Sequence, residues 1–319
     1  METISVPPQY HGRTLGRFLL RHFKGLPPGA FYKALRKKDI RVNGVRVNRN
    51  IVVNSGDRID VFIPDNILNG AAEAERQESK ILLPSEDIIF EDDNLLLVDK
   101  KPGISVHGDG SSSGHALIDM VIGYLEKKGD YDPRKPGSFK PALCHRLDRN
   151  TGGIVIIAKT PQALRVMLDS IRKRDVRKFY QCIVMGCPAE SLAELRHYLV
   201  KDSRSSRVYI SDERKPGAAE IITRYRVLVP GRDMSRLEVE IITGKTHQIR
   251  AHLAFIGHPV VGDDKYGNKR FNRKVGAKYQ ALRAYKVVFD FKDGGVLDYL
   301  KGGVFETRDI DFPFEIRSQ

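Results

Sequence analysis

Residues 145–160 read HRLDRNTGGIVIIAKT, and the rest of the chain is best understood outward from them. Asp148 stands between Arg146 and Arg149, and Asn150, Thr151, Gly152 and Gly153 interrupt any helix before an apolar run too short to be a buried one. The pattern predicts a loop that presents a carboxylate, followed by a buried strand. Neighbouring guanidinium groups lower a carboxylate pKa by roughly one to three units, so Asp148 is expected to stay ionised. Such an Asp can act as a nucleophile facing a polyanion. The same residues also describe an ordinary salt-bridged loop Asp, and the stretch alone leaves both readings open.

The 319 residues, 41% of them hydrophobic, suffice for one large domain with a real core and an accessory module. A formal charge of +14 favours an anionic partner, either nucleic acid or an acidic membrane surface. No stretch has the apolar length of a membrane span, and METISVPPQYHGR lacks the apolar core of a secretion signal, so the cytoplasm is the expected location. Cys144, Cys182 and Cys187 form neither a disulfide framework nor a C-x-x-C zinc pair and are expected to be small core residues.

Toward the N-terminus, residues 14–23 predict a helix with Leu15, Phe18, Leu19 and His22 on one side and Arg13, Arg17 and Arg21 at the spacing of a shared basic face. A second helix over 30–38 mixes Phe31, Ala34 and Leu35 with Lys33, Arg36, Lys37 and Lys38. Residues 40–47 alternate apolar and polar around Asn43-Gly44, a strong hairpin signal that includes Arg41, and residues 56–63 supply another strand. ALRKKDIRVNGVRV with the later GDRIDV resembles the αL RNA-binding motif, the S-four domain named after a ribosomal small-subunit protein. That resemblance implies that the basic second helix and adjacent turn, with Arg13, Arg17, Lys33, Arg36, Lys37, Lys38 and Arg41, grip structured RNA through its phosphates. A solvated cationic helix pair is the plainer alternative. The expected organisation is an RNA-binding domain over residues 12–63, a linker over 64–80 and a larger domain over 81–319.

The larger domain opens with a strand, turn and strand over residues 88–98. The loop His107-Gly108-Asp109-Gly110 through Gly114 precedes a predicted helix over 115–127, but its G-x-G-x-x-x-G spacing and internal Asp109 disfavour a phosphate-cradling site. Residues 130–140 read as a loop, 162–174 as a helix, and 177–186 as a strand that turns Phe179 and Tyr180 to opposite faces, one of them toward a cleft. A helix is expected over 190–200, then a charged loop over 201–207, strands over 219–229 and 235–243, a helix over 245–257 and a strand over 281–291. Arg250 falls off the apolar stripe of Ile249, Leu253 and Ile256, which leaves it available to a site. His247, His252 and His258 lack the spacing of a helical metal pair, so no metal site is expected. Overall the reading is an α+β chain whose central sheet is mixed and largely antiparallel, flanked by helices.

HRLDRNTGGIVIIAK, RKFYQCIVMG and TGKTHQIRAHLAFIGHPVVGDDKYG, in that order and behind the small basic module, resemble the pseudouridine synthases that modify ribosomal and some transfer RNAs. The leading domain and the VHGDG loop look most like members acting on large-subunit ribosomal RNA. The resemblance implies that Asp148 is the catalytic Asp, Tyr180 the active-site Tyr, Arg250 the basic partner of that Asp, and Arg146 the side chain that helps displace the target base. Arg149 and Lys245 join the RNA-binding set. Asn150 and Gly152 stand where the family more often has Asp and Ser, and Lys245 where it has Arg, which puts the turn behind Asp148 and a bidentate anion contact in doubt.

The implied chemistry breaks the bond from ribose to ring nitrogen, rotates the uracil and rejoins it through ring carbon 5. Nothing is added or removed, so neither metal, redox group nor nucleotide cofactor is expected, and the chain is expected to work as a monomer. A target in folded RNA must first leave its stack, at a cost of a few kcal/mol. Tyr180 then stacks on the base, and Asp148 acts either as a nucleophile or as a base toward a sugar proton. The alternative from another class is a non-catalytic RNA-binding or ribosome-assembly factor that retains the fold. A zinc base deaminase is disfavoured by the missing H-x-E and P-C-x-x-C pattern.

Overall fold

The computed structural model describes residues 2–23, 25–68, 82–108, 116–202, 206–308, 310 and 312–317. The chain divides into two compact units, Met1–Lys80 and Ile81–Gln319.

In the first unit, strands β1 (Glu2–Ser5), β3 (Ile40–Val42), β4 (Val45–Arg46) and β6 (Arg58–Val61) form an antiparallel sheet in the order β1-β6-β3-β4. A separate pair joins β2 (Arg13–Thr14) to β5 (Val52–Val53). Helices α1 (Leu15–His22) and α2 (Pro28–Lys37) contribute Phe18, Leu19, Phe31 and Leu35 to a core shared with Ile40, Ile59 and Val61. Thr14 and Arg13 precede the first helix, with Thr14 Oγ1 accepting from the Arg17 amide, so Arg13 does not share a helical face with Arg17 and Arg21. Asn43 (φ 50°) and Gly44 (φ 79°) both take the left-handed conformation that a two-residue hairpin turn requires. Both expected boundaries shift: β1 pairs with β6, ahead of residue 12, and the segment expected as linker from Pro64 starts with a helical turn, α3 (Asp65–Leu68), whose Leu68 is buried in this core. Residues 69–80 lie outside the described residues.

The second unit is built on one 11-stranded sheet. Its elements are β7 (Ile88–Glu91), β8 (Leu95–Lys100), α4 (Leu117–Lys128), β9 (Ala142–Leu143), β10 (Gly152–Ala158), α5 (Pro161–Lys173), β11 (Val176–Met185), β12 (Leu192–Asp202), β13 (Arg207–Ser211), β14 (Ala219–Val229), β15 (Met234–Ile241), α6 (Gln248–Phe255), α7 (Lys269–Lys274), β16 (Leu282–Phe289) and β17 (Val304–Glu306). The order is β13-β12-β14-β15-β11-β16-β10-β8-β7, with β17 on β16 and β9 on β10. Among the described residues only β10 and β16 run parallel, so the sheet is mixed and largely antiparallel, as the hairpin logic of the sequence predicts. The glycine-rich loop from Asp109 to His115 lies outside the described residues.

The helix expected over 190–200 is instead β12. Leu192, Leu195 and Leu199 mimic helical spacing, but Ala193, Leu195, His197 and Leu199 turn one way and Glu194 and Arg196 the other, which is a period of two. Glu194 meets Arg224 of β14 at 2.6 Å, and Arg224 lies 3.8 Å from Glu240 of β15, a cross-strand charge ladder that no isolated helix would make. Of the charged loop expected over 201–207, Lys201 and Asp202 belong to β12 and Arg207 to β13, which returns along β12, and residues 203–205 lie outside the described residues. The helix expected over 245–257 is shorter, starting only at Gln248. The tail beyond residue 290 adds β17 to the sheet.

Helix α5 is capped by Thr160, whose side chain accepts from the Ala163 amide, and it packs against β10 and β11. All seven residues of β10 are buried. The strand crosses β16 closely at Gly153, where φ is 110° and an added Cβ would stand 2.1 Å from the Ala284 carbonyl oxygen. Gly152 is not the residue that needs this freedom; its Cβ would meet Lys100 O at 3.3 Å. Gly153→Ala is therefore expected to destabilise the chain by at least about 2 kcal/mol, and Gly152→Ala by less, as read from thermal unfolding of the purified variants.

Candidate active site

Asp148 lies in the loop between β9 and β10, and several backbone contacts hold that loop. The Arg149 carbonyl accepts from the Gly103 amide at 2.9 Å and from Lys100 Nζ at 2.9 Å, while Arg149 Nε donates to the Gly103 carbonyl at 3.1 Å. Gln280 Nε2 donates to Thr151 Oγ1 at 2.6 Å. Lys100 is buried and also donates to the Ile104 and Lys101 carbonyls. Burial pushes its pKa down to about 7, partly offset by the negative charge of Asp148.

The Asp148 side chain keeps 26% of its surface exposed and accepts a 2.8 Å hydrogen bond from Arg250 Nη1. Arg250, on α6, is almost fully enclosed. Its Nε and Nη2 hold Asp263 at 2.6 and 3.0 Å, and Nη2 also reaches Asp264 at 3.0 Å. Burial opposes the charge on Arg250, yet the bonds to Asp263 and the field of Asp148 hold its pKa above the ordinary value. Asp263 is fully buried and additionally accepts from the Lys265 and Tyr266 amides. A guanidinium clamped on both sides presents one fixed N–H to Asp148.

His247 precedes α6 at φ 54°, a left-handed conformation uncommon for residues other than glycine. Its Nε2 stands 3.9 Å from Asp148 and its Nδ1 is 3.0 Å from the Tyr266 hydroxyl. Burial lowers its pKa, so the ring is neutral at pH 7 and the approach to Asp148 is not an ion pair.

These groups face a cleft of about 1160 Å³ that also contains Tyr180, Lys178, Arg146 and Lys245. That exceeds the roughly 300–1,000 Å³ of pockets built for drug-sized ligands and suits an open groove for a polymer. Tyr180 turns toward the cleft while Phe179, on the opposite face of β11, lies under Arg177 and Lys286. Burial, reinforced by Asp148, raises the Tyr180 pKa and keeps its hydroxyl neutral.

The structure thus brings Asp148, Tyr180, Arg250, Arg146 and Lys245 to one cleft, with Arg146 and Lys245 exposed. Arg149 instead turns to the Gly103 carbonyl. In the first unit Arg13, Arg17, Lys33, Arg36, Lys37 and Lys38 are exposed, whereas Arg41 is half-buried with its guanidinium 4.9 Å from the Phe62 ring centre. Asp263, Lys100, His247 and Lys178 had no role assigned from sequence; the Asp-Asp pair at 263–264 was the one available hint of a partner for Arg250. Cys144 and Cys182 are buried as expected, and Cys187 is half-buried. Among the described residues no cluster of three or more His, Cys, Asp or Glu could hold a metal ion, and no helix is long and apolar enough to cross a membrane.

Residues 94–255, just over half of the chain, match the family model for RNA pseudouridylate synthase. Ribosomal large subunit pseudouridine synthase C of Vibrio cholerae is 31% identical over 85% of this chain and 82% of its own length. The protein of the same name from Escherichia coli K12 is 28% identical over 99% of this chain and 93% of its own. In fold, the chain resembles human RNA pseudouridylate synthase domain containing 4, with a TM-score of 0.56 and 22% identity over 74% of this chain and 92% of that one. The matched segment contains the Asp148 loop, Tyr180 and Arg250 together, and this chain belongs to the RNA pseudouridylate synthase family.

Proposed function

We propose that this chain converts uridine to pseudouridine in large-subunit ribosomal RNA, with Asp148 as the catalytic carboxylate. The observation that carries the assignment is the 2.8 Å contact between Asp148 and a buried, doubly anchored Arg250 at the wall of a cationic cleft. Arg250 orients the carboxylate, and Tyr180 offers its ring to an extruded uracil. From its exposed position at the cleft, Arg146 fills the space the base leaves. Asp148 then attacks the nucleoside or removes a sugar proton; both routes use the ionised carboxylate and end in the same carbon-linked isomer. The naming of the bacterial relatives for the large ribosomal subunit and the charge of +14 support this substrate; the proposal takes a cytoplasmic monomer as the working form. The test is release of tritium from ribosomal RNA labelled at uracil carbon 5. Release at a defined position supports the reading, and its absence under conditions where the RNA binds overturns it in favour of a non-catalytic binding factor.

The same proposal gives the first unit the role of an S-four-type phosphate grip. Its exposed Lys33, Arg36, Lys37 and Lys38 lie along the C-terminal half of α2 and its left-handed cap, close enough in sequence to follow one backbone. Neutralising them to Gln is expected to flatten the plot of log affinity against log salt by about 0.7 for each phosphate no longer neutralised. Unchanged affinity and slope would remove the unit from the RNA interface.

A further inference from the structure

Lys178 is the one buried cation of the cleft whose partner is missing among the described residues. It sits on β11 between Val176 and Tyr180 on the inward face, and only 9% of it is exposed. Arg250 has its carboxylates and Lys100 its three carbonyls, yet among the described residues Lys178 has neither an ion-pair nor a hydrogen-bond partner. The two carboxylates that line the same cleft are already engaged, Glu240 by Arg177 at 2.7 Å and Asp148 by Arg250. Burial alone brings the Lys178 pKa down to about 8, which leaves it mostly charged at pH 7 and desolvated.

We propose that Lys178 binds a phosphate of the RNA strand flanking the extruded uridine, a contact that rests on the function proposed above. An isolated buried ammonium is costly unless an anion meets it, and a neutral uracil carbonyl offsets less of that cost than a phosphodiester. The ammonium is directed to open space. Its Nζ lies 3.8 Å from where a side chain on Gly244 would begin, and with only hydrogen at that position a nucleic-acid backbone can approach closely. Lys178 and Tyr180 are two residues apart on one strand face, roughly 7 Å, so a base on the Tyr180 ring and a backbone phosphate at Lys178 belong to one or adjacent nucleotides. The surroundings favour an anion rather than a second base. Arg146, Arg174 and Lys245 line the same cleft, and His145, close enough for Lys178 to help depress its pKa, is held neutral by burial.

Lys178→Met keeps the length of the side chain and removes its charge. In the free protein this relieves a desolvated ammonium, so the thermal midpoint is expected to stay or rise, an outcome a structural lysine would not give. Binding to a ribosomal RNA hairpin carrying the uridine that wild-type protein isomerises is expected to weaken about tenfold, with the salt slope flattened by about 0.7. Methylphosphonate substitution, one flanking phosphate at a time, then identifies the contact. At one position wild-type protein loses the same tenfold and Lys178→Met loses nothing further. Equal affinity and slope for the two proteins, or penalties that add at every position, overturn the inference. The two readings fail separately: wild-type protein that releases no tritium sinks the isomerase reading, whereas active wild-type protein with an unaffected variant sinks only the role of Lys178.

Discussion

Asp148→Asn is expected to lower the rate of isomerisation at least about a thousand-fold while leaving RNA affinity close to wild type. Asn has the shape of Asp and can still accept from Arg250 Nη1, so the loop keeps its geometry; what it lacks is the charge that either chemical route consumes. The fold should survive because Asp148 is a quarter exposed and Arg250 retains its two-point contact with Asp263. Tritium release under single-turnover conditions measures the chemistry, and filter binding of the same RNA measures affinity. Turnover near wild type would remove Asp148 from the mechanism. A parallel loss of binding and turnover would make it a structural residue of the loop, the salt-bridged Asp that its arginine neighbours also allow. Asp148→Ala removes the acceptor as well, and should add a small loss of stability to the same loss of rate.

How far the sequence carried these assignments depends on the distance over which each is decided. The β10 strand and its preceding loop were legible because glycines and an apolar run are local signals, and all of β10 is indeed buried. The hairpin at Asn43-Gly44 was legible for the same reason, since both residues must take positive φ. β12 was not, because its three leucines satisfy a helical period and only the partners β13 and β14 settle the matter; Leu192, one of the three, is 68% exposed. The pairing of Asp148 with Arg250 spans 102 residues and came from the resemblance of motifs, not from spacing. Nothing local marked Lys100 either. It reads as one of two adjacent lysines after a strand, and its value lies in joining the local Lys101 and Ile104 carbonyls to the Arg149 carbonyl of a loop 49 residues away. Arg149 looked like a twin of Arg146 in sequence, but the turn between them sends one guanidinium toward the cleft and the other to Gly103.

Asp263→Ala is expected to produce the largest loss of stability, about 3–5 kcal/mol, because it leaves a buried guanidinium with only partly exposed partners. Asp264 is 66% exposed and Asp148 26%, so neither can replace a fully buried carboxylate that binds Arg250 at two points. For a unit of this size the corresponding fall in Tm is about 6–20 °C. Asp263→Asn is milder, since an amide oxygen can still accept from the Lys265 and Tyr266 amides, and it isolates the charge. Burial works to raise the Asp263 pKa, but the hydrogen bond and charge of Arg250 and the two amides outweigh it and hold the folded-state value below that of the unfolded chain. The stabilisation is then complete above the unfolded value, near 4, and is lost as pH falls through the folded one. Wild type should exceed Asp263→Asn in Tm by a constant margin at neutral pH, and the margin should shrink as pH drops below about 4. A margin independent of pH would mean that Asp263 acts through shape alone. In the Asn variant the rate should fall with little change in RNA affinity, because Arg250 without its charged anchor no longer presents Nη1 to Asp148 at a fixed angle, and orientation of the carboxylate is what that anchor provides.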